Sequence, residues 1–295
     1  MHDQAEKLRQ LVQTSQGAVG KSSDNGKNNT RVITITSGKG GVGKTNFTVN
    51  LAVALARLGQ KILVIDADLG AANVDVVLGC TSSYSLLHII DDQLPIADVI
   101  ADGPEGIRYL SGGSGIQRLA NLDEIQLARL INKIALFDSW ADIILIDTGA
   151  GVSRNVINFV LAADEVILIT TPEPTALTDA YAMLKTYSSY QGTASLKLVV
   201  NRVTEIAEGE MVKARLMNAA ARFLALSVDS LGVIYEDSNL VRAVKKQQPV
   251  LLAYPGTIAS RCIKTIAGQL INHRTPAAPQ GIKGFFHKVL GFWNR

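Results

Sequence analysis

The sequence predicts an α/β chain built on a mostly parallel sheet with helices on both faces. Three observations predict it. Short apolar runs rich in β-branched residues recur at 32–36, 62–65, 143–146, 166–170, 196–200 and 231–234. Helical patterns lie between most of them, at 46–58, 123–137, 175–190 and 208–224. The runs are apolar throughout rather than alternating, the pattern of strands covered on both sides by crossover helices. Several runs lead into loops bearing Asp or Gly, which places a ligand site at the carboxyl edge of the sheet.

The chain divides into five parts. Residues 1–13 read as a short helix with Ala5, Leu8, Leu11 and Val12 on one side, and 14–30, rich in Gly, Ser, Asn and Lys, as a linker. Residues 31–274 carry the α/β pattern. A second linker, 275–281, holds Pro276, Pro279 and Gly281, and 282–295 form a terminal helix. In 295 residues, a hydrophobic share of 47% is ample for a core and excludes a disordered chain. Cys80 and Cys262 match no metal spacing and read as reduced, buried thiols. The amino terminus has no signal-peptide pattern, and no run reaches the roughly 20 apolar residues a membrane span needs. A cytoplasmic protein is the expectation.

Residues 32–36 lead directly into Gly38-Lys39-Gly40-Gly41-Val42-Gly43-Lys44-Thr45 and then, from Asn46, into a helical pattern. A strand, a glycine-rich loop ending in Lys-Thr and a helix form the Walker A arrangement for MgATP. The glycines allow backbone N–H groups to point inward at phosphates, and the helix N-terminus adds a positive dipole end. Lys44 is then placed for the β- and γ-phosphates and Thr45 for Mg²⁺.

Lys39, just after the first glycine, makes the loop resemble that of the deviant Walker A ATPases of the MinD/ParA class, a branch of the P-loop NTPases. The resemblance implies that Lys39 reaches across a homodimer to the partner's phosphates when ATP is bound. It also identifies Asp66-Ala67-Asp68 with switch I, and Asp147-Thr148-Gly149 with the Walker B aspartate running into switch II. By that resemblance Asp68 positions the attacking water, Asp66 supports the site near Mg²⁺ and Asp147 holds Mg²⁺. Catalysis rests on Lys39, Lys44 and Asp68. Asn201-Arg202 matches the adenine-reading pair, and the loop from Gly232 to Asp237 matches the other wall of the base pocket, with Tyr235 where many relatives have proline. Singly, each aspartate could instead cap the next helix, which explains Asp66, Asp68 and Asp147 together much less well, and the Asn201-Arg202 pair could be an ordinary strand-end cap.

Beyond Asp237 the chain has no acidic residue, while Arg242, Lys245, Lys246, Arg261, Lys264, Arg274, Lys283, Lys288 and Arg295 follow; net charge is +3. A basic end suits an anionic surface, or simply a solvated face. At 100° per residue, Ile282, Phe285, Phe286, Val289, Leu290, Phe292 and Trp293 fall on one face of the terminal helix, and Lys283, His287, Lys288 and Arg295 on the other. That pattern suits a helix lying in an anionic membrane surface, with the preceding linker detaching it from the core. The alternative is packing on its own domain or on a partner.

Asp3-Gln4-Ala5-Glu6-Lys7-Leu8-Arg9, together with Thr170-Thr171-Pro172-Glu173-Pro174-Thr175, resembles the FlhG (FleN/YlxH) family, MinD-like ATPases that control flagellar number and placement. The resemblance runs over nearly the whole chain. It implies that the N-terminal helix, through Asp3, Gln4, Leu8 and Arg9, docks on the FlhF GTPase and stimulates GTP hydrolysis. It further implies flagellar basal-body and C-ring partners. MinD-type division-site ATPases share the core and terminal helix but lack the N-terminal segment. ParA-type partition ATPases would need a DNA-binding surface, and DNA is not an expected partner.

Overall fold

The computed structural model describes residues 30–68, 73–91, 94–112, 118, 124–272 and 279–293. Its centre is an eight-stranded sheet of β1 (Arg31–Ser37), β2 (Ile62–Ala67), β3 (Ala101–Asp102), β4 (Arg108–Ser111), β5 (Ile143–Ala150), β6 (Glu165–Thr170), β7 (Ser195–Val203) and β8 (Val228–Tyr235). The spatial order is β3-β4-β2-β5-β1-β6-β7-β8. Every pairing is parallel except that of β3 with β4. The α/β expectation holds, and the predicted runs all fall within strands. The sequence reading has no counterpart for β3 and β4, since two residues, and four that include Arg108 and two hydroxyl side chains, carry no strand-length apolar signal.

β1 lies between β5 and β6, with Val32, Ile33 and Ile35 fully buried. A strand flanked on both edges and covered on both faces has no use for alternation, which explains its unbroken apolar pattern. One face is covered by α1 (Lys44–Arg57), α2 (Val74–Leu78), α9 (Ser238–Lys245), α10 (Val250–Ala253) and α11 (Ile258–Asn272). On the other lie α3 (Leu86–Ile90), α4 (Ile96–Val99), α5 (Glu124–Ile134), α6 (Arg154–Ala162), α7 (Pro174–Ser189), α8 (Ile206–Leu224) and α12 (Gly281–Trp293). α1 is wedged between the sheet and α11, so Leu51, Ala52, Val53, Ala54 and Leu55 are all buried around its circumference.

Thr30, expected as the last linker residue, is buried and donates from Oγ1 to the Ala141 carbonyl at 2.8 Å, so it belongs to the domain. The expected N-terminal helix and the rest of the first linker lie outside the described residues, as do Asp3, Gln4, Leu8 and Arg9. Both cysteines are half-buried and unbridged rather than fully buried.

The terminal helix corrects the expectation of a detached element. In α12, Ile282, Phe285, Phe286, Val289 and Leu290 are buried in the same core as Phe159 and Val160. Phe285 stacks on Phe159 with centroids 6.0 Å apart and meets Phe286 edge-on at 5.4 Å. Asp138 accepts from the backbone N–H groups of Ile282 at 2.6 Å and Lys283 at 3.3 Å, satisfying the first turn. Asp164 takes the Gln280 N–H at 3.1 Å, and Arg154 donates to the Phe292 carbonyl at 3.2 Å. Burial pushes both Asp138 and Asp164 above the usual carboxylate range, against the pull of those N–H groups. Lys283 and His287 face solvent and Phe292 is half-buried; the Trp293 side chain lies outside the described residues. The helix docks because α6, β1 and the turn Ala135–Ser139 together offer an apolar groove that its stripe fills.

Candidate nucleotide-binding site

Ser37 ends β1, and its hydroxyl donates to the Lys39 carbonyl at 3.0 Å, closing the loop over its first turn. Gly41 and Gly43 take φ of 78° and 91°, which side chains rarely adopt. Gly38 has a different constraint: a Cβ there would run into the backbone of Asp179. Gly43 accepts the Phe47 N–H at 2.9 Å, so the loop passes directly into α1 and aims the helix N-terminus at the loop's concavity.

The side chains converge on Asp147 in the carboxyl-terminal half of β5. Lys44 Nζ lies 3.0 Å from its Oδ1, Thr48 Oγ1 donates to the same oxygen at 2.9 Å, and Thr45 Oγ1 donates to Oδ2 at 2.7 Å. Asp147 is fully buried and Lys44 nearly so, as a buried charge pair requires for mutual compensation. Switch II is tied to the loop by the Gly151 N–H, which donates to the Ser37 carbonyl at 2.9 Å.

Asp66, on the neighbouring strand, accepts from the N–H groups of Asp68 (3.1 Å), Asn73 (2.9 Å) and Val74 (3.2 Å). Its carboxyl is pushed up to about 6, first by burial and then by the charge of Asp147. Through those three bonds it ties Asp68 to the start of α2. Asp68 stands on the wall of a cavity of about 380 Å³ that also includes Gly40, Gly41, Gly43, Lys44, Thr45 and Asn46. Ser37, Asn73 and Ala150 complete the lining with three valines, Val76, Val77 and Val244. Sequence reading missed the valines, and a valine on an amphipathic helix gives no signal that it faces a ligand.

Lys39 lies on the rim. Its Nζ donates to Glu173 Oε2 at 3.0 Å and to Thr175 Oγ1 at 2.8 Å, both of the same chain. That contact holds the Glu173 carboxyl below its ordinary range. Asn201, at the end of β7, is buried beside the loop, and its Nδ2 donates to the Val42 carbonyl at 2.8 Å. Val42 itself turns its side chain into the core. Arg202 is exposed, at φ 58°, and bonds Glu236 at 3.1 Å. Asp237, expected beside the base, accepts through its carboxylate from the N–H groups of Asn239 at 2.9 Å and Ala259 at 3.1 Å. One oxygen serves the start of α9 and the other the start of α11.

The donor set fits a hard cation with a polyphosphate. A hydroxyl and a carboxylate meet at 2.7 Å, a buried lysine stands beside them, and the Asp66 carboxyl nearby is pushed up by burial and then by the charge of Asp147. Among the described residues no group of three or more His, Cys, Asp or Glu forms a metal cage. Mg²⁺ requires none, because it keeps waters and takes phosphate oxygens.

Residues 33–250 match the CobQ/CobB/MinD/ParA nucleotide-binding domain. The chain belongs to that family. Within the MinD/ParA class it stands with the FlhG (FleN/YlxH) branch. It is 40% identical to the antiactivator FleN of Pseudomonas aeruginosa over 87% of this chain and 91% of that protein. It is 34% identical to the flagellum site-determining protein YlxH of Helicobacter pylori over 99% of both chains. The septum site-determining protein MinD of Pyrococcus horikoshii, solved with Mg-ADP, superposes with a TM-score of 0.65 at 28% identity, over 82% of this chain and 96% of that one. This MinD/ParA-class chain is an ATP hydrolase.

Proposed function

We propose that the chain is a MgATP-dependent switch that pairs with a second copy around the nucleotide, associates reversibly with anionic membrane and sets flagellar number and placement. One observation carries the pairing: Lys39 stands outside its own phosphate cradle, on Glu173 and Thr175, with its side chain 38% exposed. From there its ammonium is available to a facing molecule. On this reading Lys44 neutralises the β- and γ-phosphates, Thr45 and Asp147 hold Mg²⁺, and Asp68 orients water. The second copy's Lys39 adds the charge that phosphoryl transfer needs. Bound Mg²⁺ would supply neutralisation of the β- and γ-oxygens. Hydrolysis is then slow in a lone chain and rises with pairing.

Membrane association uses α12 in an undocked form. Moving its five buried apolar side chains into lipid exchanges one apolar medium for another, so lost packing is the main cost rather than exposure to water. α6 begins at Arg154, directly after switch II, and packs along α12, so a change at the nucleotide has a short route to the helix. The flagellar assignment is supported by the relatives FleN and YlxH, the latter alignable over almost all of this chain. Gln4, with Asp3, Leu8 and Arg9, is the proposed group for stimulating FlhF. Basal-body and C-ring proteins are the proposed further partners.

The decisive experiment is light scattering with a non-hydrolysable ATP analogue. The wild-type chain is expected to double in mass, and Lys39→Ala to remain monomeric while still binding nucleotide. A normal Lys39→Ala dimer would remove the pairing reading.

A further inference from the structure

The helix α9 carries more apolar surface than its place in the fold uses. Its sequence sets Leu240, Val241, Ala243 and Val244 close together. Ala243 is buried and Leu240 packs against the core, yet Val241 and Val244 remain 48% and 38% exposed. On α2, Val76 is 49% exposed although Val74, Val77 and Leu78 beside it are buried. The two helices end against each other, since a Cβ on Gly79, just after α2, would collide with the Gln247 carbonyl, just after α9. Val76 and Val244 both line the nucleotide cavity, and Val241 stands one turn from Val244 on α9. The surround is basic. Arg242, Lys245 and Lys246 are all exposed; Arg242 reaches the neutral Asn239 at 3.5 Å, and Lys246 lies over the Tyr254 ring. The carboxylates nearest in sequence serve backbone N–H groups, Asp75 that of Val76, and Asp237 those of Asn239 and Ala259.

We propose that Val76, Val241 and Val244, with Arg242, Lys245 and Lys246, form a docking surface that binds an acidic amphipathic segment of a partner protein according to nucleotide state. Apolar side chains of the segment cover the valines, and its carboxylates meet the three cations. Lipid suits the face less well. Its apolar side chains are short, and two of them line a concavity that a partner's projecting side chains can enter and a flat membrane cannot. A second copy meeting this face through a two-fold axis would set cations against cations. The coupling to nucleotide follows from how α2 is held. Asp66 accepts the N–H groups of Asn73 and Val74 at the start of α2. Asp66 also feels the charge of Asp147, the carboxylate that Lys44 and Thr45 hold. α2 therefore hangs from the site where a triphosphate would bind, and a partner that touches Val76 responds to its occupancy. This coupling rests on the MgATP reading of the site; the docking surface itself does not.

The test is fluorescence anisotropy of a labelled helical peptide, Leu-Glu-Glu-Leu-Leu-Glu-Ala repeated, titrated with the full chain. The same peptide with Lys for every Glu is the control. The wild type is expected to bind the acidic peptide at least about tenfold more tightly than the basic one. Its affinity for the acidic peptide is expected to differ at least about threefold between MgADP and a non-hydrolysable ATP analogue. Arg242→Glu with Lys245→Glu is expected to reverse the preference between peptides, which a merely unfolded chain would not do. Val241→Ser is expected to weaken the acidic peptide about fivefold, with ATP turnover in the absence of peptide as in the wild type. No binding, equal binding of the two peptides, or the wild-type preference kept in the reversed variant would overturn the proposal. So would variants that keep peptide binding but lose ATP-dependent pairing or liposome flotation, since the face would then belong to a second copy or to lipid. Equal affinity with both nucleotides would overturn the coupling. If the analogue does not bind the wild type at all, the MgATP reading fails, and the peptide preference then decides the docking surface alone.

Discussion

Lys44, Thr45 and Thr48 all donate to the carboxylate of Asp147. Each of those bonds is charge-assisted, and those of Lys44 and Thr45 are the ones a triphosphate and its cation would take over. Asp68 lines the cavity from just beyond the end of β2. Asp68→Ala should therefore retain ATP within a few-fold while turnover falls about a hundredfold or more, the usual span for a group that handles the attacking water. Phosphate release measured beside fluorescent-nucleotide binding would check the separation, and unchanged turnover would remove Asp68 from catalysis. These residues were legible because the loop is contiguous, and because Asp66, Asp68 and Asp147 follow directly on the apolar runs 62–65 and 143–146. Glu173 and Thr175 under Lys39 were not legible, since more than 130 residues separate the partners. For Asp237 the sequence does not separate the two roles, because an aspartate at a strand end serves a helix start as readily as a ligand.

At the scale of elements, α12 is the informative case. Its amphipathic pattern was plain in the sequence, yet an apolar stripe opposite basic residues has the same appearance whether it meets lipid or a groove. Only the exposed apolar surface of α6 and its neighbours decides, and that surface is assembled from segments distant in sequence. Because Phe285 is buried against Phe159, Phe285→Ala should cost about 3–5 kcal/mol in denaturant unfolding. A loss under 1 kcal/mol would mean that the helix contributes little to the folded core. Deleting α12 would consequently test stability and lipid binding together, which makes deletion a poor probe of membrane attachment. Among the strands, the central parallel ones were readable from continuous apolar runs, and the antiparallel edge pairing of β3 with β4 was hidden by its brevity.

For the whole molecule, a cleaner probe of membrane attachment leaves the apolar face intact. Lys283 is exposed and Lys288 half-buried on the outer side of α12. Reversing both, Lys283→Glu with Lys288→Glu, should weaken binding to anionic liposomes at least about tenfold, at roughly 1 kcal/mol per basic residue lost. Flotation with and without a non-hydrolysable ATP analogue would measure it, and equal flotation of the variant would direct attention to another basic surface. The wild type is expected to float better with the analogue, because two copies of the helix bind as one unit.

The location of α12 in the core also bears on the lifetime of the protein. Phe285, Phe286 and Val289 cannot fill the groove over α6 and enter a bilayer at once. A copy whose helix is in lipid leaves Phe159 and its neighbours uncovered, and a less well-closed fold opens more often to proteases. Residence at the membrane and resistance to degradation would then oppose each other. The pool of copies at a given site would be limited by turnover as well as by hydrolysis.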